Sequence, residues 1–508
     1  MTQPLTEINM QEFNSIANRI QQLLKIVELE TKDGPIEVDS ISLKSSVKII
    51  DKIGGYKVSK FTVVEKLDLN NKSDYLLIYN NLSNKSTLLK PHTWERIIKQ
   101  AADLNPEQMA FRNVLIKSGI LVKNDIDEID YFLNRFDNVR SNLKTMAPIL
   151  MITSKCNIKC TYCYEEGVKL HSMSDEVING IIKWIDKKIE KDNLNAIYPT
   201  LFGGEPLINP KKLFNLMDGI NKVANNKGVH VNYSCSSNGV LLTDKLAREL
   251  VSKGLNEIQI SLDGPEKIHN IRRVGVNGYS NYNECLKGLI TACEFIDTPT
   301  LKINFDRHNL NFIPDLYDSL VKNDLHKKIE VKLEPIAMQF GNLSNIKYDN
   351  TYLLPPNSSE LADSYNFLIT EAELRGFKIQ MSTSHTTPCM LVFKQGFAID
   401  TKGNIFKCIS LLGRDEYKVG SIFSDLLLSE FENQMDIRTR LKQCIEEKCP
   451  FIPVCGGGCP YEGLVRGNQF EDRFCIRTFL KIHHKNKHLN NIYKRTNINK
   501  KVKHEAFI

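Results

Sequence analysis

Ten of the 13 cysteines in this 508-residue chain stand in two fields. The first is Cys156-Asn-Ile-Lys-Cys160-Thr-Tyr-Cys163, a C-x3-C-x2-C arrangement. The second holds Cys389, Cys408, Cys444, Cys449, Cys455, Cys459 and Cys475. Thiolates this close together, where thiols are kept reduced, are ligands of metal or of iron–sulfur clusters before anything else. Three thiolates hold three irons of a cubane and leave the fourth open to a substrate or cofactor. Zinc is the structural alternative, but it wants a fourth ligand, and the adjacent Tyr and Glu residues are poor ones. Cys235, Cys285 and Cys293 sit alone in apolar or helical stretches and read as small buried hydrophobes.

The chemistry depends on the compartment. The start, MTQPLTEINMQEF, has neither the basic beginning nor the apolar core of a secretory signal, and no apolar run is long enough to span a bilayer. The expectation is a cytoplasmic protein with reduced thiols and no membrane partner. Its length, with 42% hydrophobic and 25% charged residues, predicts a soluble chain of two or three domains. The formal charge of +7 does not point to nucleic acid: residues 481–508 carry seven Lys, one Arg and one Glu, and the remainder is neutral. These residues read as a basic, solvated C-terminal tail, with a contact for an acidic peptide as the sharper alternative.

The elements that must position the cysteines are legible in outline. Residues 1–35 form a leading helix that breaks at Asp33-Gly34-Pro35. Short β-type runs, FTVVEKL, DYLLIYN and STLLK, follow from about Val58, then two helical stretches, the apolar run ILV and a helix near 126–140. Strands then strong helices make residues 1–141 a small winged-helix-like α+β domain. From residue 146 to 340, apolar strands near 147–153, 196–202, 229–235, 257–262, 300–305 and 329–336 alternate with helices, Ser174 and Thr243 being N-cap candidates. Such alternation means parallel strands with right-handed crossovers, an α/β fold. Six units are too few for a full barrel and suit a partial (β/α)6 one, with its active site at the C-terminal ends of the strands.

The cysteine loop after the first strand, together with Gly203-Gly204-Glu205-Pro206 after the second, resembles the radical S-adenosylmethionine (SAM) superfamily. That resemblance makes Cys156, Cys160 and Cys163 the ligands of a catalytic [4Fe–4S] cluster, and the GGEP run the contact for the methionine amino group. Two glycines let backbone approach the cofactor, and Glu205 offers an acceptor to an ammonium. It also assigns to the cofactor Tyr162, as an aromatic against adenine, then Ser237-Asn238-Gly239 and Ser261-Leu262-Asp263-Gly264. One of Arg272 and Arg273 falls to the methionine carboxylate; the alternatives stay open, and His269 and Asn304 also stand at family-like positions. The chemistry implied is reductive cleavage of SAM to a 5′-deoxyadenosyl radical that takes a hydrogen atom from the substrate, with a donor such as flavodoxin or ferredoxin.

Residues 386–480 resemble the SPASM extension of peptide-modifying radical enzymes, joined to the barrel by a segment at 341–385. The resemblance implies two auxiliary [4Fe–4S] clusters, three in all: Cys389, Cys408 and Cys459 on one, with His385 or a substrate thiolate as fourth ligand, and Cys444, Cys449, Cys455 and Cys475 on the other. Cys444-x4-Cys449 departs from the family's C-x2-C; zinc knuckles are the structural alternative. The implied function is a peptide maturase forming a thioether or related crosslink in a ribosomally made precursor, whose leader the first 141 residues would hold as an added strand. The alternative is an anaerobic sulfatase-maturating enzyme, which makes formylglycine. That subfamily has an acidic base after the cysteine matched by Cys408, where this chain has Ile409. A winged helix could instead serve nucleic acid, but the basic excess lies at the far end of the chain. A binding-only protein is the remaining class, and intact ligands in both fields argue against it.

Overall fold

The computed structural model describes residues 55–505, apart from 68–74, 101, 143, 164, 166–170, 337–347, 381–388, 425–436 and 468. The leading helix expected in residues 1–35, His385, and residues 341–347 and 381–385 of the connecting segment lie outside the described residues. The chain divides into two compact units: Met1–Phe132 with Cys444–Val454 and Leu480–Ile508, and Leu133–Gln443 with Cys455–Phe479.

In the first unit, strands Tyr56–Val58 (β1), Thr62–Leu67 (β2), Tyr75–Asn80 (β3) and Lys85–Leu89 (β4) precede helices Pro91–Ile98 and Pro106–Lys117 and strand Leu121–Lys123 (β5). β2, β3 and β4 form an antiparallel sheet, and β5 pairs with β1, a partner the sequence did not suggest. Helix Pro106–Lys117 begins with a capping box between Asn105 and Gln108 and with Pro at its first turn, which satisfies its free amides. Ile78, Leu89, Trp94, Ile97, Leu115, Ile120 and Leu121 make the core beneath the sheet.

The basic tail needs correcting. Residues Arg477–Glu505 are one helix, and from Leu480 it belongs to this first unit. His483, His484, Lys487 and His488 are buried. The ring of His488 stacks on Tyr79 at 4.5 Å, and Lys487 donates to Asn84 at 2.8 Å. His488 and Lys487 thus meet the sheet, while Lys481 and Lys494 remain exposed.

The second unit is built on Thr145–Thr153 (β6), Ile158–Cys160 (β7), Ala196–Ile197 (β8), Thr200–Gly203 (β9), His230–Val231 (β10), Tyr233–Ser237 (β11), Leu255–Ser261 (β12), Arg273–Gly275 (β13), Thr300–Phe305 (β14) and Glu330–Pro335 (β15). Shorter strands Lys378–Ile379 (β16), Gly396–Ile399 (β17), Asn404–Phe406 (β18) and Gly420–Ser421 (β19) complete it. The main sheet runs β16-β15-β14-β12-β11-β9-β6-β17-β18-β19, parallel from β16 to β17 and antiparallel beyond. Two expected strands are each split, at Tyr198-Pro199 and at Asn232, since Pro199 has no amide to give a ladder. Ser174 and Thr243 cap their helices as expected, accepting from Val177 and Leu246.

Parallel strands taken up in sequence order are what right-handed crossovers produce, with the connecting helices on one side of the sheet. The α/β order is that of a partial (β/α)6 barrel. Its inner face is left to the loops that follow each strand.

Candidate active site

The cysteine loop leaves β6 and is held by a two-stranded sheet in which β7 pairs antiparallel with the distant β13, placing Cys160 opposite Arg273. Ile158 N–H donates to Cys156 Sγ at 3.4 Å, and Cys163 N–H to the Cys160 carbonyl at 3.1 Å. The three thiols feel one another. Burial first, then Cys160, pushes Cys163 up to about 12, and burial pushes Cys156 up to about 11. Thiols in this range are protonated near neutral pH, so iron must displace protons when it binds. Among the described residues, no three His, Cys, Asp or Glu side chains converge on a single metal ion. A cubane does not require that, because each iron takes its own thiolate.

Gly203 and Gly204 have a packing reason to be glycine, beside the one their sequence suggested. A Cβ on Gly203, whose φ is +155°, would lie 2.1 Å from the Thr153 carbonyl oxygen. One on Gly204 would lie 2.6 Å from that of Lys155. The close approach is thus to the backbone leading into the cysteine loop. Gly204 and Glu205 N–H donate to those same carbonyls, both at 2.9 Å, fastening the end of β9 to the loop.

Glu205 is likewise engaged. Fully buried, its carboxylate accepts from Ser237 Oγ at 2.9 Å, Asn238 N–H at 2.7 Å and Leu207 N–H at 3.0 Å. Burial raises its pKa, and these donors pull it back down. The side chain therefore braces β9 to β11, with Pro206 opening the turn beyond. Asn238 extends the brace: its amide donates to Asn157 at 2.8 Å and lies 3.9 Å from Cys156 Sγ.

A second hub forms at the ends of β12 and β14. The buried Asp263 carboxylate accepts from the Tyr162 hydroxyl and from Asn304 N–H at 3.2 Å. Tyr162 also accepts from Arg273 at 2.9 Å and from Asn304 Nδ2 at 3.2 Å. Its ring lies 5.1 Å from the Arg272 guanidinium. Arg272 is held by Asp306 and Tyr348, two residues the sequence reading missed because nothing local marks them. Burial works against the charge on Arg273, yet Cys160, Tyr162 and Asp263 hold its pKa well above its usual value. Its Nε is buried and has no hydrogen-bond partner. That orphaned donor beside Cys160 fits a carboxylate ligand. His269, kept neutral by burial at about 4, ties the hub to Asn281 at 3.1 Å. Ser261 is buried at the end of β12.

In the second cysteine field, Cys408 is pushed up to about 12, by burial first and then by Cys389 and Cys459. Those three thiols are thus brought together. The Gly456-Gly457-Gly458 run before Cys459 has φ of +57°, +82° and +87°. A Cβ on Gly458 would lie 1.9 Å from the Phe474 carbonyl oxygen. The run is clamped by Arg440, fully buried, which donates to the carbonyls of Phe470, Gly457 and Gly458 at 2.7, 2.9 and 2.7 Å. Arg440 was not anticipated either. Cys444 and Cys449 are buried, with Cys449 N–H donating to the Cys444 carbonyl at 2.9 Å; Cys455 and Cys475 are partly exposed.

Comparison with known proteins agrees with this geometry. Residues 150–302 match the Radical SAM superfamily. The chain is similar to the cysteine-type anaerobic sulfatase-maturating enzyme of Clostridium perfringens, at 22% identity over 60% of this chain and 86% of that protein. It is similar to the serine-type enzyme of Bacteroides thetaiotaomicron at 24%, over 60% and 80%. The solved structure described as native anSMEcpe with bound AdoMet and Kp18Cys peptide superposes with a TM-score of 0.54 at 17% identity, covering 69% of this chain and 99% of that one, which establishes the shared fold. Among the described residues no helix is long and apolar enough to cross a membrane. With a family match over the strands that carry the cysteine loop and the Asp263 hub, the protein is an enzyme with a radical SAM domain, of the kind that binds SAM and a [4Fe–4S] cluster.

Proposed function

We propose that this enzyme is a maturase that oxidatively modifies a ribosomally made precursor peptide, forming a thioether or related crosslink. The observation that carries this reading is the first unit. Its three-stranded sheet is separate from the main one, and among the described residues β2 is an edge strand of it, with Val64 exposed. Such an edge suits capture of an extended leader. Ile409 supports it too, since formylglycine formation would need a base from elsewhere.

In this reading Cys156, Cys160 and Cys163 hold the catalytic cluster. The backbone of Gly203–Pro206, braced through Glu205 to Ser237 and Asn238, faces the methionine end of SAM. Arg273 offers its free donor to the methionine carboxylate, and Tyr162 and Asp263 shape the floor beneath. When bound, cluster and SAM supply hydrogen-atom abstraction; the chain orients the reactants and excludes water. Two auxiliary clusters complete the proposal, on Cys389, Cys408 and Cys459 and on Cys444, Cys449, Cys455 and Cys475. The electron donor would be a flavodoxin or ferredoxin.

Sulfatase maturation is the second reading, and the relatives favour it, since their similarity spans most of their own length. One experiment separates the two. The reconstituted enzyme is incubated with SAM, reductant and either a cysteine-containing precursor encoded beside it or a sulfatase peptide. Loss of two hydrogens with loss of the free thiol supports the crosslink. A hydrazide-reactive aldehyde in the sulfatase peptide supports formylglycine and overturns the first reading.

A further inference from the structure

One charge on the inner face of the sheet has no use in the site above. Along β14, Leu301, Ile303 and Phe305 are fully buried, and Thr300, Lys302 and Asn304 alternate with them. Asn304 reaches Tyr162 and Asp263, so this second set lines the inner face. In the register Lys302 stands between Ser261 on β12 and Lys332 on β15. Lys332 is paired, with its Nζ 2.9 Å from Glu334. The side chain of Lys302 makes no hydrogen bond or ion pair among the described residues. Lys302 and Lys332 are therefore cross-strand neighbours, and Glu334, which pairs with Lys332, stands opposite Asn304.

An ammonium withdrawn from water without a counter-charge is costly, and the pKa of Lys302 is lowered, by burial first, with Glu334 opposing. A carboxylate arriving there would offset that cost. The neutral donors beside it suit an anion as well: Ser261 is opposite Lys302, and Gln259, one layer deeper, donates to Ser236 at 3.2 Å.

We infer that Lys302 anchors an acidic side chain of the peptide substrate on the inner face of the barrel. This rests on the reading of the enzyme as a peptide maturase. It makes the substrate acidic near the residue to be modified, because the anchor lies two positions before Asn304 and so next to the reacting centre.

The test uses the reconstituted holoenzyme and two pools of otherwise randomised peptides, one with a fixed central Asp and one with Asn, retention being read by mass spectrometry. Wild type and Lys302→Arg are expected to favour the Asp pool about tenfold, and Lys302→Met to lose the preference. Equal retention of both pools by wild type, or a preference that survives in Lys302→Met, overturns the inference and leaves the maturase reading standing. Retention of neither pool overturns the peptide reading and the inference with it. SAM affinity is measured alongside. A Lys302→Met protein that has lost it assigns the lysine to the cofactor's carboxylate instead, which also overturns the inference.

Discussion

Arg272 and Asp306 form a buried ion pair at the end of β14, with Nη1 2.9 and 3.0 Å from the two carboxylate oxygens and neither side chain exposed. Arg273, the next residue, does not touch Asp306 and donates instead to the Tyr162 hydroxyl, with its Nη1 3.9 Å from Asp263. Both arginines keep an Nε without a hydrogen bond, but that of Arg272 lies 3.9 Å from Asp263. Two adjacent cations thus have different tasks: Arg272 holds two loops together, and Arg273 keeps a donor for a ligand.

Substitution should separate them. Arg272→Met leaves Asp306 as an uncompensated buried charge and is expected to lower stability by about 3–5 kcal/mol, with much of the loss recovered in Arg272→Met/Asp306→Leu. Arg273→Gln should instead weaken SAM binding about tenfold or more. Denaturant unfolding and calorimetric titration with SAM measure the two effects. Wild-type SAM affinity in Arg273→Gln would remove this residue from the cofactor site.

The iron content tests the cluster count. Three clusters mean about twelve irons per chain, and Cys156/Cys160/Cys163→Ala should lose about a third of them and all SAM cleavage. Arg440→Met should also lose about a third, because three carbonyls released around Gly457 and Gly458 no longer present Cys459. It should keep the catalytic cluster, whose ligands Arg440 does not touch. Full iron in Arg440→Met would show that the clamp is dispensable to its cluster.

Acid should weaken the barrel through His269. Its folded pKa is held at about 4 by burial, below the unfolded value of about 6.5. The unfolded chain binds the proton first, so stability is full above about pH 6.5 and is lost as pH falls toward 4, by up to roughly 3 kcal/mol from this group. His269→Gln, which keeps a polar partner for Asn281, should flatten that slope. An unchanged slope in urea unfolding between pH 7 and pH 5 would assign it to other groups.

What could be read in the sequence, and what could not, follows from the range of the interactions. The triplet Cys156, Cys160 and Cys163, which the proposal makes ligands, stands out because coordination would fix residue type and spacing locally. The strands were legible from apolar runs, except where Pro199 interrupts one. Gly203 and Gly204 announced a close approach, but the chain they meet, at Thr153 and Lys155, is about fifty residues away and leaves no local mark. Glu205 was visible as an acid in a motif, not as a brace to Asn238. The final helix showed its charge plainly, yet Lys487 meets Asn84 across 403 residues, and no window reveals such a contact. Arg440 is the limiting case: it acts only on backbone carbonyls, which every sequence has.

The edge of the first unit's sheet offers the sharpest test of leader capture. Asn81 N–H donates to the Phe61 carbonyl at 3.0 Å, and β2 pairs with β3 in the same register, Val63 with Tyr79 and Glu65 with Leu77. Antiparallel pairs alternate, so the amides of Val63 and Glu65 face β3 while those of Val64 and Lys66 point away from it. Val64 is 40% exposed, and β2 is less covered than β4 at the opposite edge. Proline at an outward position removes one donor without breaking the ladder to β3. Val64→Pro is therefore expected to fold, keep its iron and cleave SAM in the absence of peptide at the wild-type rate. Modification of the full precursor should fall about tenfold or more, since a lost main-chain hydrogen bond and a kinked edge both weaken the added strand. Val64→Thr, which keeps the amide, should behave as wild type. A peptide lacking its leader should be modified equally slowly by all three proteins. If Val64→Pro modifies the full precursor at the normal rate, β2 is not where the leader docks, and an added strand would have to use β4, where Ser86 and Leu88 face outward by the same alternation.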